Sequence, residues 1–581
     1  MKNLIRILII FLSVNALAAP ESIPDRVRGE GPFERLILRG VIIVNGEGAP
    51  PVGPMDVLIE GNRISEIRNL GLYKPIPEAK RIPVQPGDRV MELEGHYLLP
   101  GFIDMHAHFG GDDQGVSAEY VAKLWLGHGI TTIREPGSFN GLDWVLAHQA
   151  RSEKNEIAAP RIFPYLGFGM GETKPLLTEE ETRRWVRQVA KKGAMGIKFF
   201  GAPANIMQAA LDEAGKQGLG SMMHHSQLDV VNWNVLDSAR AGLTSMEHWY
   251  GLPEAMFVDK VIQDYPLDYN YTNEQHRFGE AGRLWAQTAK PGSEKWNQVR
   301  DELISLDFTL NPTLTIYEAS RDLMREMNAD WQKEYTPPAL WQFFQPSLIS
   351  HGSYWHDWTT ADEVAWKNNF RIWMQFLNDY KNHGGRVTLG SDAGYIWKLY
   401  GFGYIREMEL LQEAGFHPLE VIRSATYLGA EVLNMEDQIG SVRPGKLADL
   451  VITEENPIAN FKVLYGTGHF KLGADNKPER VGGVKYTIKD GIVFDAKELL
   501  ADVGRLFVRP RLKTGILASS KRKVLEFDCP QITQITQITQ IFLRDRHFGN
   551  CLPGLDPASI FYAYTKETKW IPDQVRNDRP Y

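Results

Sequence analysis

The chain has 581 residues, 43% of them hydrophobic and 23% charged, a globular composition too long for one small core and suited to a large domain with a smaller companion. A net charge of −8 over that length, with no long basic run in the main body, argues against a nucleic-acid partner. Only Cys529 and Cys551 occur, so neither a disulfide framework nor a thiolate metal site organises the main body, and any metal there is held by His, carboxylate or modified Lys.

The first residues carry Lys2 and Arg6, then an apolar run, then Ala16-Leu17-Ala18. That pattern predicts a secretory signal over residues 1–18, because the apolar run is shorter than the roughly 20 residues a membrane span needs. The expectation is an exported protein, periplasmic or secreted, with no stable membrane insertion. Leu36–Val44 and Val57–Ile67 then read as strands and hairpins separated by Gly, Pro and Asn, and the same texture returns in Leu447–Ile452 and Tyr486–Phe494. Residues 35–95 and 439–500 are therefore expected to form one small β-sandwich domain built from both flanks of the chain's middle.

Between the flanks, residues 96–438 alternate strand-like apolar runs with amphipathic stretches. The runs are Tyr97–His106, Gly129–Arg134, Arg161–Tyr165, Gly196–Phe200, Gly220–His225, Leu243–His248, Phe308–Asn311 and Arg386–Asp392. Eight β/α repeats predict an α/β fold of the TIM-type (β/α)8 barrel kind, with an active site at the C-terminal ends of the strands. Segments 249–307 and 316–385 interrupt the spacing. The second is dense in Trp, Tyr and Phe, and both read either as substrate walls or as extra helices packed outside the barrel. Residues 501–581 differ from the rest: Gln531–Gln540 is a three-residue repeat of low complexity, resembles translated repetitive DNA, and predicts a poorly ordered tail.

His106 and His108 stand two apart at the end of an apolar strand, so period-two geometry points both imidazoles to one side, where they suit one borderline metal. A His-x-His pair alone is a weak signal. Its setting, Leu98-Leu-Pro-Gly-Phe-Ile-Asp-Met-His-Ala-His108, is far more specific, and it is followed by Gly129-Ile-Thr-Thr-Ile-Arg-Glu-Pro-Gly137, Thr244-Ser-Met-Glu-His248, Gly390-Ser-Asp-Ala-Gly394 and Gly440-Ser-Val-Arg-Pro-Gly-Lys-Leu-Ala-Asp-Leu450. On these residues the chain resembles the amidohydrolase superfamily, in its imidazolonepropionase-like and zinc prolidase-like branch, from about Leu36 to Leu500.

The resemblance implies a centre of two divalent metal ions, zinc by preference, with a carbon dioxide-derived carbamate on a lysine. Its ligand roles fall on His106 and His108 after strand one, Lys198 on strand four, His224 or His225 on strand five, His248 on strand six and Asp392 on strand eight. The apolar setting of Lys198 depresses an amine's pKa and favours the neutral form that captures carbon dioxide. Strand alternation leaves His224 and His225 unresolved as the fifth-strand ligand. Tyr250 is a candidate substrate contact, and Asp392 is the expected proton shuttle. His128, His148 and His383 read as packing or surface residues.

The activity so implied is hydrolysis of an amide-type C–N bond in a small-molecule substrate such as an imidopeptide or N-acyl compound. An ester, lactone, organophosphate or halogenated ring is the alternative on the same site, and a barrel that binds without catalysis is the alternative from another class. Assembly into a homo-oligomer is compatible with every feature above.

Overall fold

The computed structural model describes residues 21–514 apart from positions 73, 112–113, 348–350, 353–354 and 356; the signal expected over residues 1–18 and the repeat at 531–540 lie outside the described residues. The core is an eight-stranded parallel sheet, paired in chain order from Phe102–Asp104 to Arg386–Val387 through Ile130–Gly137, Arg161–Gly167, Gly196–Phe199, Gly220–Met223, Ser245–Glu247 and Thr309–Asn311. The sheet is curled until its two edges meet. Met105 N donates to Leu389 O at 3.0 Å and Asp392 N to His106 O at 2.8 Å, joining the chain after the first strand to the chain after the last. This is a TIM-barrel-like α/β architecture, with connecting helices whose apolar faces cover near-continuous buried strands, as a two-sided parallel sheet requires.

The opening run predicted as one strand over Tyr97–His106 is two. Tyr97–Pro100 pairs in a different sheet, and only Phe102–Asp104 enters the curled one. The break falls at Gly101, where a Cβ would stand 2.0 Å from Thr131 Oγ1, so only glycine lets the chain change sheets this close to the second strand. Tyr97–Pro100 runs parallel to Arg35–Ile43 on one side and antiparallel to Leu450–Thr453 on the other. Strands from both flanks thus pair in one mixed eight-stranded sheet, with Leu36, Leu38, Val57, Leu98, Leu450 and Ile488 in a common apolar cluster.

Order continues past residue 500. The helix Ala496–Thr514 buries Leu500 and Val503, and Asp502 bonds Arg28 and Lys123. No helix among the described residues is long and apolar enough to cross a membrane.

The two interrupting segments fold as helices that pack on each other. Trp249, one residue past His248, stacks on Trp366 at 5.3 Å and meets Trp373 at 4.8 Å, both from the long helix Thr360–Asn382. Tyr317, from the helix Leu314–Met327, lies on Trp366 at 5.8 Å and 16°. Both segments therefore back the strand ends directly.

Candidate metal centre

The predicted site residues lie on or just past the C-terminal ends of the curled sheet's strands, the end at which this architecture gathers chemistry. Asp392 is their meeting point. Its Oδ1 stands 3.4 Å from His106 Nε2 and 3.3 Å from His108 Nε2, and its Oδ2 stands 3.6 Å from His248 Nε2. The donor atoms of His106, His108 and Asp392 all lie within 4.8 Å of one another, a spacing that fits a single cation. The His224 ring is 4.7 Å from that of His248 and 5.6 Å from that of Tyr250, on the same side of the sheet. His225 points elsewhere: its Nε2 meets Ser238 Oγ at 2.8 Å, among helices. Lys198 is 2% exposed, and its Nζ lies 5.4 Å from the centre of the Phe200 ring.

These positions are held at a cost. His248 and Asp392 have φ of 60° and 48°, a left-handed conformation that disfavours residues with a Cβ. Glycine makes the approach possible, since a Cβ at Gly390 would stand 2.9 Å from His106 Cβ and 2.7 Å from Asn311 Nδ2. Hydrogen bonds then fix each group. Asp104 receives Ser391 Oγ at 2.6 Å, Ser391 N at 2.9 Å and His106 N at 3.1 Å, tying the first strand end to the eighth.

Beneath the imidazoles lies Glu247, fully buried. It accepts from Arg134 Nη2 at 2.8 Å, Asn311 Nδ2 at 2.5 Å and Ser245 Oγ at 3.0 Å, and pairs with His106 Nδ1 at 2.7 Å. A carboxylate there holds the proton of His106 on Nδ1 and leaves Nε2 as a lone-pair donor facing Asp392. On His248 the hydroxyl of Thr313 occupies Nδ1 at 2.6 Å, with Nε2 again turned to Asp392.

The electrostatics agree with a cation-binding role. Burial drives His106 down to about 4 and pushes His224 and His248 well below the usual imidazole range, so all three are neutral donors at neutral pH. Burial also lowers Lys198 to about 8, against the attraction of Glu247 and Asp392. For Asp392 burial acts upward, but the surrounding imidazoles overcome it and hold the carboxyl well below its ordinary range. Neutral imidazoles around an ionised carboxylate are an acceptor-rich set, which suits a divalent cation.

Sequence reasoning brought together His106, His108, Lys198, His224, His248, Asp392 and Tyr250. It assigned no role to Glu247, Arg134, Asn311, Asp104 or Thr313. Strand alternation carried part of the signal, because Ser245 and Glu247 lie two apart and share the inward face with Arg134.

The fold and this site define a hydrolase of the TIM-barrel-like α/β class. The amidohydrolase family model matches residues 97–264 and 373–493, and the chain belongs to that family. Among solved structures, it is similar to a Xaa-Pro dipeptidase with methionine bound in its active site (20% identity, TM-score 0.53, 79% of this chain and 100% of that one). It is also similar to molinate hydrolase (16% identity, TM-score 0.53, 85% and 99%). These likenesses show the fold. A dihydroorotase from Bacillus licheniformis is 25% identical over 135 residues, 22% of this chain, and the match spans 28% of that relative's length.

Proposed function

We propose that the protein is an exported, metal-dependent hydrolase that cleaves an amide-type C–N bond at a binuclear centre. The observation that carries this reading is Asp392, whose carboxylate meets imidazoles from the first and sixth strand ends and so stands where a proton must be moved. His106, His108, Lys198, His224, His248 and Asp392 would hold two divalent cations, zinc by preference, and His225 supports the fifth strand end from behind through Ser238. When bound, such cations supply Lewis acidity that polarises a carbonyl and makes water a competent nucleophile near neutrality.

The chain's own residues supply the rest. Lys198 releases its proton at about 8, so a usable fraction of the amine is neutral near physiological pH. Carried as a carbamate, formed when the neutral amine adds to carbon dioxide and loses a proton, Lys198 would offer carboxylate-type oxygen donors and so could help His106, His108, His224, His248 and Asp392 hold the cations. Asp392 accepts the proton of the attacking water on a carboxylate oxygen and delivers it to the leaving nitrogen as the C–N bond breaks. Glu247 keeps the His106 lone pair aimed inward throughout. The basic, apolar start of the chain supports export, and the shared mixed sheet supports residues 35–95 and 439–500 as one unit around the hydrolase core.

Metal analysis of purified protein tests the reading. Two equivalents of divalent metal are expected, with Lys198→Ala losing metal and short carboxylic acids restoring part of it. Normal metal content in Lys198→Ala excludes the carbamate.

A further inference from the structure

Asp392 opens a loop whose backbone is strained. Asp392, Ile396 and Trp397 have φ of 48°, 48° and 63°, and Gly394 among them has φ of 107°. The left-handed region disfavours any residue with a Cβ, and a β-branched or bulky one most, so Ile396 and Trp397 in succession stay there only because their surroundings hold them. The loop closes on itself, Gly394 N donating to Lys398 O and Lys398 N to Tyr395 O, both at 2.9 Å. Its outward ties run to the second insertion. Ile396 N donates to Gly352 O at 3.1 Å, Gln332 Nε2 donates to Trp397 O at 2.9 Å, and the Trp397 ring lies 5.1 Å from that of Trp341 and 5.3 Å from that of Phe344.

A charged tie joins these. Lys398 is buried, and its Nζ donates to two carboxylates of the helix Leu314–Met327, Glu318 Oε2 at 2.8 Å and Glu326 Oε2. The two carboxylates stand on either side of a break in that helix, at Asp322, where φ is −136° and ψ is 54°. Lys398 therefore staples both halves of a broken helix to the strand-eight loop. Glu318 is itself fixed, since it also accepts from Arg406 Nε at 2.9 Å. A buried ion cluster is a poor source of stability, because desolvation offsets most of its attraction, but its directional bonds fix geometry. What it fixes here lies at the centre. Glu318 follows Tyr317, whose ring meets His248 at 5.7 Å, and the main chain of Lys398 is bonded back to Gly394, two residues past Asp392.

We infer that Lys398 is a positioning residue for Asp392: by bridging Glu318 and Glu326 it holds the strand-eight loop in its left-handed shape, and so sets the Asp392 carboxylate between the imidazoles of His106, His108 and His248. The inference rests on the reading of Asp392 as the group that moves the proton. The second insertion thereby reaches the chemistry through the backbone of the loop, without touching the reacting atoms.

The test uses the metal-loaded full chain and three substitutions. Lys398→Met removes the ammonium and keeps the stem, Lys398→Met/Glu326→Gln also removes one carboxylate so that less charge is left buried and unpaired, and Lys398→Arg restores a cation. In a crystal structure of Lys398→Met, Ile396 and Trp397 are expected to leave the left-handed region and Asp392 to move by about 1 Å from His106 and His108, a misplacement whose usual cost is on the order of 100-fold in rate. With N-acetyl-phenylalanine as the probe, kcat should fall by about that factor with KM little changed, and Lys398→Arg should recover part of the loss. If Lys398→Met fails to fold, the double variant serves in both measurements. A loop of unchanged shape, or a normal kcat beside a lowered melting temperature, reduces Lys398 to a structural role and overturns the inference. Normal kcat in Asp392→Asn overturns it through its premise, whatever the loop does. If the wild type does not cleave the probe, the amide reading fails by itself, and the crystal structures decide on Lys398, a displaced Asp392 supporting the clamp and an unmoved one refuting it.

Discussion

The floor and the wall of this site are built on opposite plans. The floor comes from strand ends and is charged, buried and saturated with hydrogen bonds, four partners converging on Glu247 and three donors on Asp104. The wall comes from two insertions and is aromatic, held by ring contacts such as Trp249 on Trp366 and Trp373. Hydrogen bonds are directional and fix atoms to fractions of an ångström, while ring packing tolerates sliding. The floor is therefore suited to chemistry that a family shares and the wall to selectivity that its members vary. Changes to the floor should alter turnover and metal, and changes to the wall should alter KM and preference.

The largest break in that division is expected at Asp392. Asp392→Asn keeps shape and volume but removes the proton acceptor, and the usual worth of a general acid and base puts the loss in kcat at about 10²- to 10⁴-fold. Metal content should persist, since an amide oxygen and the imidazoles remain. Near-normal kcat with metal bound would assign the proton to another group.

Glu247 gives a smaller effect of a different kind. Glu247→Gln retains an acceptor for His106 but loses the charge that opposes Arg134, and the loss of such an outer partner weakens metal binding by about 10- to 100-fold. Dialysis against graded chelator at neutral pH measures it. Unchanged retention would mean that the strand ends alone orient His106 and that the floor is less coupled than its hydrogen bonds imply.

The same contrast explains what the sequence reveals. His106, His108, Lys198, His248 and Asp392 were legible because a strand end fixes where a side chain points, and family motifs surround all of them but Lys198. His224 and His225 were not separable, because the regular strand stops at Met223 and both imidazoles fall in the irregular stretch beyond it. The split at Gly101 was hidden in an unbroken apolar run, Tyr97 to Ile103, whose two halves bury against different sheets. The stack of Trp366 on Trp249 left no trace, since it depends on how two helical insertions, far apart in sequence, pack on each other. The truncation near residue 500 that composition invites would also sever Asp502 from Arg28 and Lys123.

The smallest expected effect joins wall to floor. Glu407 is fully buried and accepts from the backbone N–H groups of Leu314, at 2.9 Å, and Thr315, at 2.6 Å, so it caps the helix that carries Tyr317. Burial raises its pKa to about 8 despite those hydrogen bonds. Between the ordinary carboxylate range and about 8 the folded protein keeps a proton that the unfolded chain has released. The folded state then binds more protons, and the stability this group contributes falls as pH rises through that window. Asp104, Glu135 and Glu254, driven by burial to about 7, 8 and 7, act in the same direction. Thermal melting of the metal-free protein should therefore show a midpoint that declines from pH 6 to pH 8, above which Lys198 and Lys489, lowered by burial to about 8, act in the opposite direction, and Glu407→Gln, neutral throughout, should make that decline shallower. An unchanged slope would mean that Glu407 is ionised in the folded state across the range, with the two backbone N–H groups outweighing burial. The helix under Tyr317 would then be anchored by a charge, as the floor is, and the division between the two regions would end at the first turn of that helix.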